Sequence, residues 1–465
     1  MKYIILFLLI VPTICSGTTY YVSNSGHDDS SGTSEVGAWQ TCYKAETSIS
    51  AGDTVLFMGG EYDEDNSGSD FYNHTLLVTT SGIDRDHPTV FAACPGYSRP
   101  IFYGNRGVAD RRGIQVKASY VVLDGLEVMN ARRGIEVYIG DYVIVENCVS
   151  HHNTDGHPGD SNGGGVMLGY WNPGGDQNDV CWGCVVRSCT LYANGTYPLG
   201  SGYDGNVSGI HSYRCDSCTF ENNYIHHQNA ASVISLNGQE GNGIFIKQYN
   251  DSTTISGNTI DSCYLGIRIS SNNYNTDINH NIVTNCVHGI VSTHGYSDNS
   301  GVYIYNNTVY ATKSTGIGAY YNQLNVLSNL NIWNNIVMNS RLWGSSYSYN
   351  LDLADYYNTY PNLNEDYNCY FNSSSSDIIR DGVDRGGPTV YTLTSWQSST
   401  PHGDNDLNAN PYFVDPANGN FVLTDSSSCL TGGRGYPYEI YVGALGESSD
   451  SPVNYGKKII QGVRK

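Results

Sequence analysis

Apolar and polar positions recur along this chain in one fixed order. Ile255-Ser-Gly-Asn258-Thr-Ile260, Ile278-Asn-His-Asn281-Ile-Val283, Ile304-Tyr-Asn-Asn307-Thr-Val309 and Ile332-Trp-Asn-Asn335-Ile-Val337 share a template: apolar, two further positions, Asn, any residue, apolar. Phe220-Glu-Asn-Asn223-Tyr-Ile225 belongs to the series. Val145-Glu-Asn-Cys148 and Val186-Arg-Ser-Cys189 carry Cys at the Asn position, and Leu123-Asp-Gly-Leu126-Glu-Val128 carries Leu. The steps between these positions are 22, 41, 34, 35, 23, 26 and 28 residues, so the short steps give a bare rung and the long ones add loops. A second strand in each rung is marked by Gly134-Ile135, Gly209-Ile210, Gly243-Ile244, Gly266-Ile267, Gly289-Ile290 and Gly316-Ile317.

Short β-branched strands joined by Gly and Asn turns, at a period of twenty-odd residues, predict an all-β fold: a parallel β-helix, that is, a solenoid. Asn stacked in one column can pass amide hydrogen bonds from rung to rung, which satisfies polar groups buried at a turn. An antiparallel sandwich or barrel would not repeat one template along the chain.

Composition agrees. There are 53 Gly and 39 Tyr with only 14% charged residues, too few for long charged helices. The formal charge of −21 argues against nucleic acid or an anionic membrane as partner. It also makes an acidic glycan costly to bind unless a cation intervenes. Residues 1–17 read as a secretory signal peptide, with Lys2, the apolar Tyr3 to Ile14, and the small Ser16 and Gly17. Cys15 offers a lipoprotein alternative, but Pro12-Thr13-Ile14 is a poor lead-in. The expectation is a secreted monomer with no membrane span.

The ends carry further signals. Tyr21-Val22-Ser23, Gly32-Thr33, Trp39-Gln40-Thr41, Gly52-Asp53-Thr54-Val55 and Gly60-Glu61-Tyr62 form an opening segment, and Asn410-Pro-Tyr-Phe-Val-Asp415, Phe421-Val-Leu423 and Val442-Gly-Ala444 a closing one. With the rungs, these resemble the secreted right-handed β-helix proteins of the pectate-lyase-like superfamily. The resemblance implies a single-stranded right-handed solenoid with a short N-terminal capping helix over Trp39–Ser48. The chain then divides into a signal (1–17), cap and first strands (18–62), rungs (63–340), irregular final rungs with closing segment (341–446) and a flexible tail (447–465).

Twelve cysteines follow the signal. Cys181-Trp-Gly-Cys184 and Cys215-Asp-Ser-Cys218 occupy equivalent places on neighbouring rungs. Three readings stand: inter-rung disulfides Cys181–Cys215 and Cys184–Cys218, stacked reduced thiols, or a four-thiolate zinc site. Cys263 and Cys286 are equivalent in the same way.

Alternation along the second strand selects the candidate chemistry. It turns Phe245 and Lys247, Arg268 and Ser270, His211 and Tyr213, Glu136 and Tyr138, and Met167 outward onto one exposed sheet face. Lys247 and Arg268 fall on adjacent rungs, with Cα atoms roughly 8 Å apart. His211 falls in the Arg268 column and Tyr213 in the Lys247 column. Glu240-Gly-Asn242 at the strand entry, with Asp155, Asp160 and Asp204 in loops, offers oxygen ligands suited to Ca²⁺.

This set is similar to the chondroitinase B/alginate lyase family, although only Glu240, Asn242, Lys247 and Arg268 carry over. The likeness implies β-elimination on a uronic-acid-containing polysaccharide. Ca²⁺ would neutralise the carboxylate, Lys247 would take the adjacent proton, and Arg268 or Tyr213 would help the leaving oxygen depart. His151-His152 is a further metal or catalytic candidate. Two other readings remain. Asn153-Thr154-Asp155-Gly156 resembles part of a polygalacturonase-type hydrolase motif, with Asp155 and Asp160 or Asp204 as the acid/base pair. A non-catalytic glycan-binding adhesin would use stacked Tyr instead.

Overall fold

A computed structural model describes residues 17–64, 74–104, 111–153, 163–170, 180–195, 206–228, 241–293, 299–320, 327–340, 349–353, 362–384, 387–435 and 439–445. Residues 1–16 of the expected 1–17 signal, the expected tail 447–465, Glu240, Asp155, Asp160 and Asp204 lie outside them. Each rung contains three strands where the repeat suggested two. In one rung these are Thr254–Ser256, Thr259–Asp261 and Leu265–Ser270. The extra strand arises because the template bends at its Asn. The residue just before that Asn is left-handed in rung after rung, with φ of 55° at Asn222, 65° at Gly257, 53° at His280 and 51° at Asn306. Asn and Gly tolerate that conformation best, and it turns the chain a corner between the two apolar positions.

Successive rungs pair in parallel and in register: Ile255 with Ile278, Ile260 with Val283, Ile267 with Ile290. The described residues thereby form three long sheets of twelve, eleven and twelve strands. The first runs from Thr19–Val22 to Asn364–Asp366 and the second from Gly60–Tyr62 to Cys369–Phe371. The third starts at His74–Val78 and ends on an antiparallel pair, Ile379–Asp384 with Gly387–Tyr391. Inward Val, Ile, Leu and Phe of all three sheets make one continuous core, with Phe220, Ile255, Ile267 and Ile304 at or near zero exposure. Solvent exclusion of that column is the main stabilising contribution.

The Asn column is a hydrogen-bonded ladder. Asn223 Nδ2 donates to Asn258 Oδ1 at 2.9 Å, Asn258 to Asn281 at 2.9 Å, Asn281 to Asn307 at 3.0 Å and Asn307 to Asn335 at 3.0 Å. Cys189 heads it, its backbone N–H donating to Asn223 Oδ1 at 3.0 Å. Asp406 closes it, accepting from the Asn368 backbone N–H at 2.6 Å. The Gly of the Gly-Ile pairs sits at the entry to the third sheet. At Gly243 a Cβ would stand 2.5 Å from both the Gly266 carbonyl oxygen and Ile260 Cγ2, so only Gly fits.

The capping helix spans Cys42–Ser48, three residues shorter at its start than the sequence suggested. Thr41 is the N-cap, accepting from the Lys44 N–H at 3.0 Å. Trp39 instead stacks on Tyr20 at 4.4 Å and bridges to Val22. A second helix, Leu393–Ser399, closes the far end and buries Trp396 completely. No helix among the described residues is long and apolar enough to cross a membrane.

Cys181 pairs in register with Cys215, as its place in the repeat predicted. The Cys181 thiol adjoins those of Cys184 and Cys215, and Cys218 adjoins Cys184 and Cys215, which makes a closed ring of four buried thiols. They are free in the structure, as are the other described cysteines. Of the three readings, the structure shows the four thiols reduced and side by side, without a disulfide among the described cysteines.

Candidate functional site

The outward side of the third sheet is where the sequence-predicted residues meet. One column runs Gln115, Glu136, Met167, His211, Phe245, Arg268 and Val291. A parallel column, three positions earlier on each strand, includes Arg112, Arg133, Gly164, Ser208 and Asn242. His211 and Arg268 therefore share a column, as expected. Tyr213 does not stand opposite Lys247: a register shift after Ser212 pairs it with Gln248. Lys247 reaches it all the same, its Nζ 4.9 Å from the Tyr213 ring centroid.

This face is not open. Glu136, His211 and Phe245 are at most 1% exposed, although each points away from the core. Part of the cover is visible: the Arg268 guanidinium lies 4.5 Å over the Phe245 ring, and Lys247 Nζ 5.9 Å from the same ring. Both cations are half-buried. They form the accessible edge of a buried polar cluster.

His211 is the centre of that cluster. Its ring stacks on Tyr213 at 4.8 Å and tilts over Phe245 at 5.0 Å. Neither ring nitrogen has a hydrogen-bond partner; the Asn206 backbone approaches without reaching hydrogen-bond geometry. Burial first, then the positive charges of Lys247, Arg133 and Arg268, hold its pKa well below the usual imidazole range. The imidazole is therefore neutral, with a lone pair unused by the fold.

Glu136 is the counterweight, and its partners were not foreseen. It accepts from Arg112, Arg133 and Gln115, the last at 2.7 Å. Burial would raise its pKa, but Arg133 and Arg112 bring it down to about 2. The clue was available in the sequence: Arg-Gly-Ile recurs at 112 and 133, which puts two guanidiniums on neighbouring rungs. The seven strands from Arg112–Val116 to His288–Thr293 carry four cations (Arg112, Arg133, Lys247, Arg268) and one carboxylate, so these strand residues sum to +3 on a chain of net −21, and Arg112 and Arg133 are the two that contact Glu136.

Asn242 lies at the edge of the same face. Its Nδ2 donates to the Val207 carbonyl at 3.0 Å, and its buried Oδ1 has no partner. That oxygen fits a cation ligand; the other expected oxygen ligands are the ones outside the described residues. An open cleft of about 330 Å³ lies elsewhere, near the closing helix, lined by Glu365, Asp366, His402 and Asp404 among others.

Comparison with known proteins agrees with this architecture. Residues 20–169 match a family described as Pel9A-like, right-handed β-helix region, and residues 175–362 one described as right-handed β-helix region. No curated protein matches the chain in sequence. Among solved structures, the pectate lyase Pel9A is similar over 92% of this chain and 96% of its own, with TM-score 0.54 and 16% identity. XylC, solved with xylose, is similar over 79% and 86%, with TM-score 0.53 and 11% identity. The GH136 lacto-N-biosidase from Eubacterium ramulus is similar over 78% and 64%, with TM-score 0.51 and 12% identity. At these identities the likeness speaks to the fold, and the chain is a right-handed parallel β-helix, Pel9A-like over residues 20–169.

Proposed function

We propose that the protein is a secreted polysaccharide lyase that cleaves a uronic-acid-containing glycan by β-elimination at the third sheet. The observation that carries this reading is a local excess of positive charge: in a chain of net −21, seven successive strands of the third sheet hold four cations and one carboxylate, with Lys247 and Arg268 at the accessible edge. Such a face attracts a polyanion where the rest of the surface repels it. Similarity in fold to the pectate lyase Pel9A supports a carbohydrate substrate.

Arg268 is placed to bind the uronate carboxylate, since a guanidinium pairs with a carboxylate through two parallel hydrogen bonds. Lys247, on the adjacent rung, sheds its own proton first and then, as a neutral amine, takes the proton alpha to that carboxylate and becomes ammonium. Tyr213, whose ring lies 4.9 Å from Lys247 Nζ, donates its phenolic proton to the departing glycosidic oxygen, and neutral His211 relays the proton from the ammonium back to the phenolate. Ca²⁺, held by Asn242 with Glu240, Asp155, Asp160 or Asp204, would supply further neutralisation of the substrate carboxylate.

The test is incubation with alginate, polygalacturonate, and chondroitin or dermatan sulfate, with Ca²⁺ and with EDTA, following absorbance near 235 nm. Unsaturated product that disappears in Lys247→Ala supports the lyase. Reducing ends without that absorbance would make the protein a hydrolase, and binding without turnover a glycan-binding β-helix. Full activity in Lys247→Ala would remove the assigned base.

A further inference from the structure

The second sheet carries chemistry that the cationic face does not use. One outward column there runs Met129, His151, Tyr192, His226 and Asp261. Its rings stack: His151 on Tyr192 at 4.6 Å and 6°, Tyr192 on His226 at 5.1 Å and 1°. In both histidine rungs the next residue is also His, in the left-handed conformation with φ of 53° at His152 and His227. That turn folds the second imidazole edge-on against the first, at 83° and 90°.

The consequence is two pairs of converging nitrogens. The Nδ1 atoms of His151 and His152 are 2.6 Å apart, and those of His226 and His227 2.9 Å. Two imidazole nitrogens bound at about 2.0–2.1 Å to one ion, roughly 90° apart, stand about 2.9 Å from each other. The second pair already has that spacing and the first is a few tenths of an ångström short of it. In the first pair the outer shell is also built: His151 Nε2 lies 3.0 Å from Glu127 Oε1, so with its proton there Nδ1 carries the lone pair. Without a metal, one Nδ1–H donates to the other.

We propose that His151/His152 and His226/His227 are two bis-imidazole sites for a borderline divalent cation of the copper(II) or nickel(II) type, two rungs apart. Among the described residues no third His, Cys, Asp or Glu completes either site, which leaves positions on the ion for oxygen ligands. Cis nitrogens with water suit a tetragonal ion, whereas Ca²⁺ and Mg²⁺ prefer oxygen cages. His227 is exposed, so that ion exchanges with solvent.

Calorimetric titration of the full chain with Cu²⁺ alone at neutral pH, with electron paramagnetic resonance of the loaded protein, tests this. Asn is the replacement of choice because it tolerates the left-handed turn. His152→Asn and His227→Asn should each lose one equivalent of Cu²⁺, and the double variant two. In wild-type protein the spectrum should show hyperfine coupling to two nitrogens per ion. A double variant that binds as much Cu²⁺ as wild type, or a wild-type spectrum with oxygen ligands alone, overturns the proposal.

Discussion

His211 and Tyr213, two residues apart on one strand, stack at 4.8 Å with their ring planes 17° apart, so a buried imidazole without hydrogen bonds leans on a phenol. Burying an unpaired polar ring is a cost to folding. His211→Phe keeps the stack and removes that cost. Its melting temperature should equal or exceed that of wild type, while turnover on the active uronate polymer falls about 100-fold or more. Thermal unfolding and initial rates measured on one preparation check this. Unchanged turnover would take His211 out of the mechanism.

The Arg112–Glu136–Arg133 cluster gives a signed pH dependence. Glu136 has a folded-state pKa of about 2, below the ordinary 4.5 it regains on unfolding. Its contribution is therefore fully present above about pH 4.5 and is lost as pH falls toward 2. Glu136→Gln removes the carboxylate charge that Arg112 and Arg133 share and should cost on the order of 1–3 kcal/mol at pH 7. Urea unfolding at several pH values should show the gap between the two proteins narrowing as the pH drops below 4.5. A constant gap would mean that the charge of Glu136 is not what matters.

The four-thiol ring has a redox consequence. Cys181 and Cys215 face each other across parallel strands, about 4.8 Å apart at Cα, within the range a disulfide accepts. Protein refolded in a glutathione redox buffer should yield peptides linked Cys181–Cys215 and Cys184–Cys218. Reduction should then lower stability by about 2–4 kcal/mol. Complete alkylation of all four thiols without reductant would identify a permanently reduced stack.

At the far end, Asp406 and Glu365 are two buried carboxyl groups in one place. Glu365 accepts from Asn368 at 3.0 Å, Tyr370 at 3.0 Å and Trp396 at 3.1 Å, while Asp406 Oδ2 has no hydrogen-bond partner. Burial, and then the Glu365 charge, hold the Asp406 pKa well above the usual carboxylate range. A raised carboxyl pKa penalises the fold as pH rises past the unfolded value. Asp406→Asn should therefore stabilise the protein at pH 7 by on the order of 1–3 kcal/mol and have little effect near pH 3. Differential scanning calorimetry at the two pH values decides it.

The fold was largely legible because a solenoid writes itself into its sequence. Asn223, Asn258, Asn281, Asn307 and Asn335 stand in the ladder the repeat assigns them, and Cys148 and Cys189 precede it. The third strand per rung was hidden because three-residue strands such as Thr259–Asp261 are too short to show alternation. The helix over Leu393–Ser399 was hidden because Ser and Thr weaken its signal. At the site, outward direction was readable but burial was not, since one strand's pattern is silent about what lies over it. The shift that moves Tyr213 opposite Gln248 depends on Lys247 being an extra residue in its strand, which no periodicity reveals.

The Asn ladder also bears on how such a chain can grow. Every amide in it donates toward the C-terminal rung and accepts from the N-terminal one, from Asn223 to Asp406. A rung copied in tandem, such as the 23 residues between Asn258 and Asn281, would meet the same donor below and the same acceptor above. Duplication is therefore neutral for the ladder, while Asp406, which accepts from Asn368 and passes no bond on to a further Asn among the described residues, ends it. Length in this protein is open to gain and loss by whole turns, and the position of the cationic face along the axis can drift without rebuilding the core.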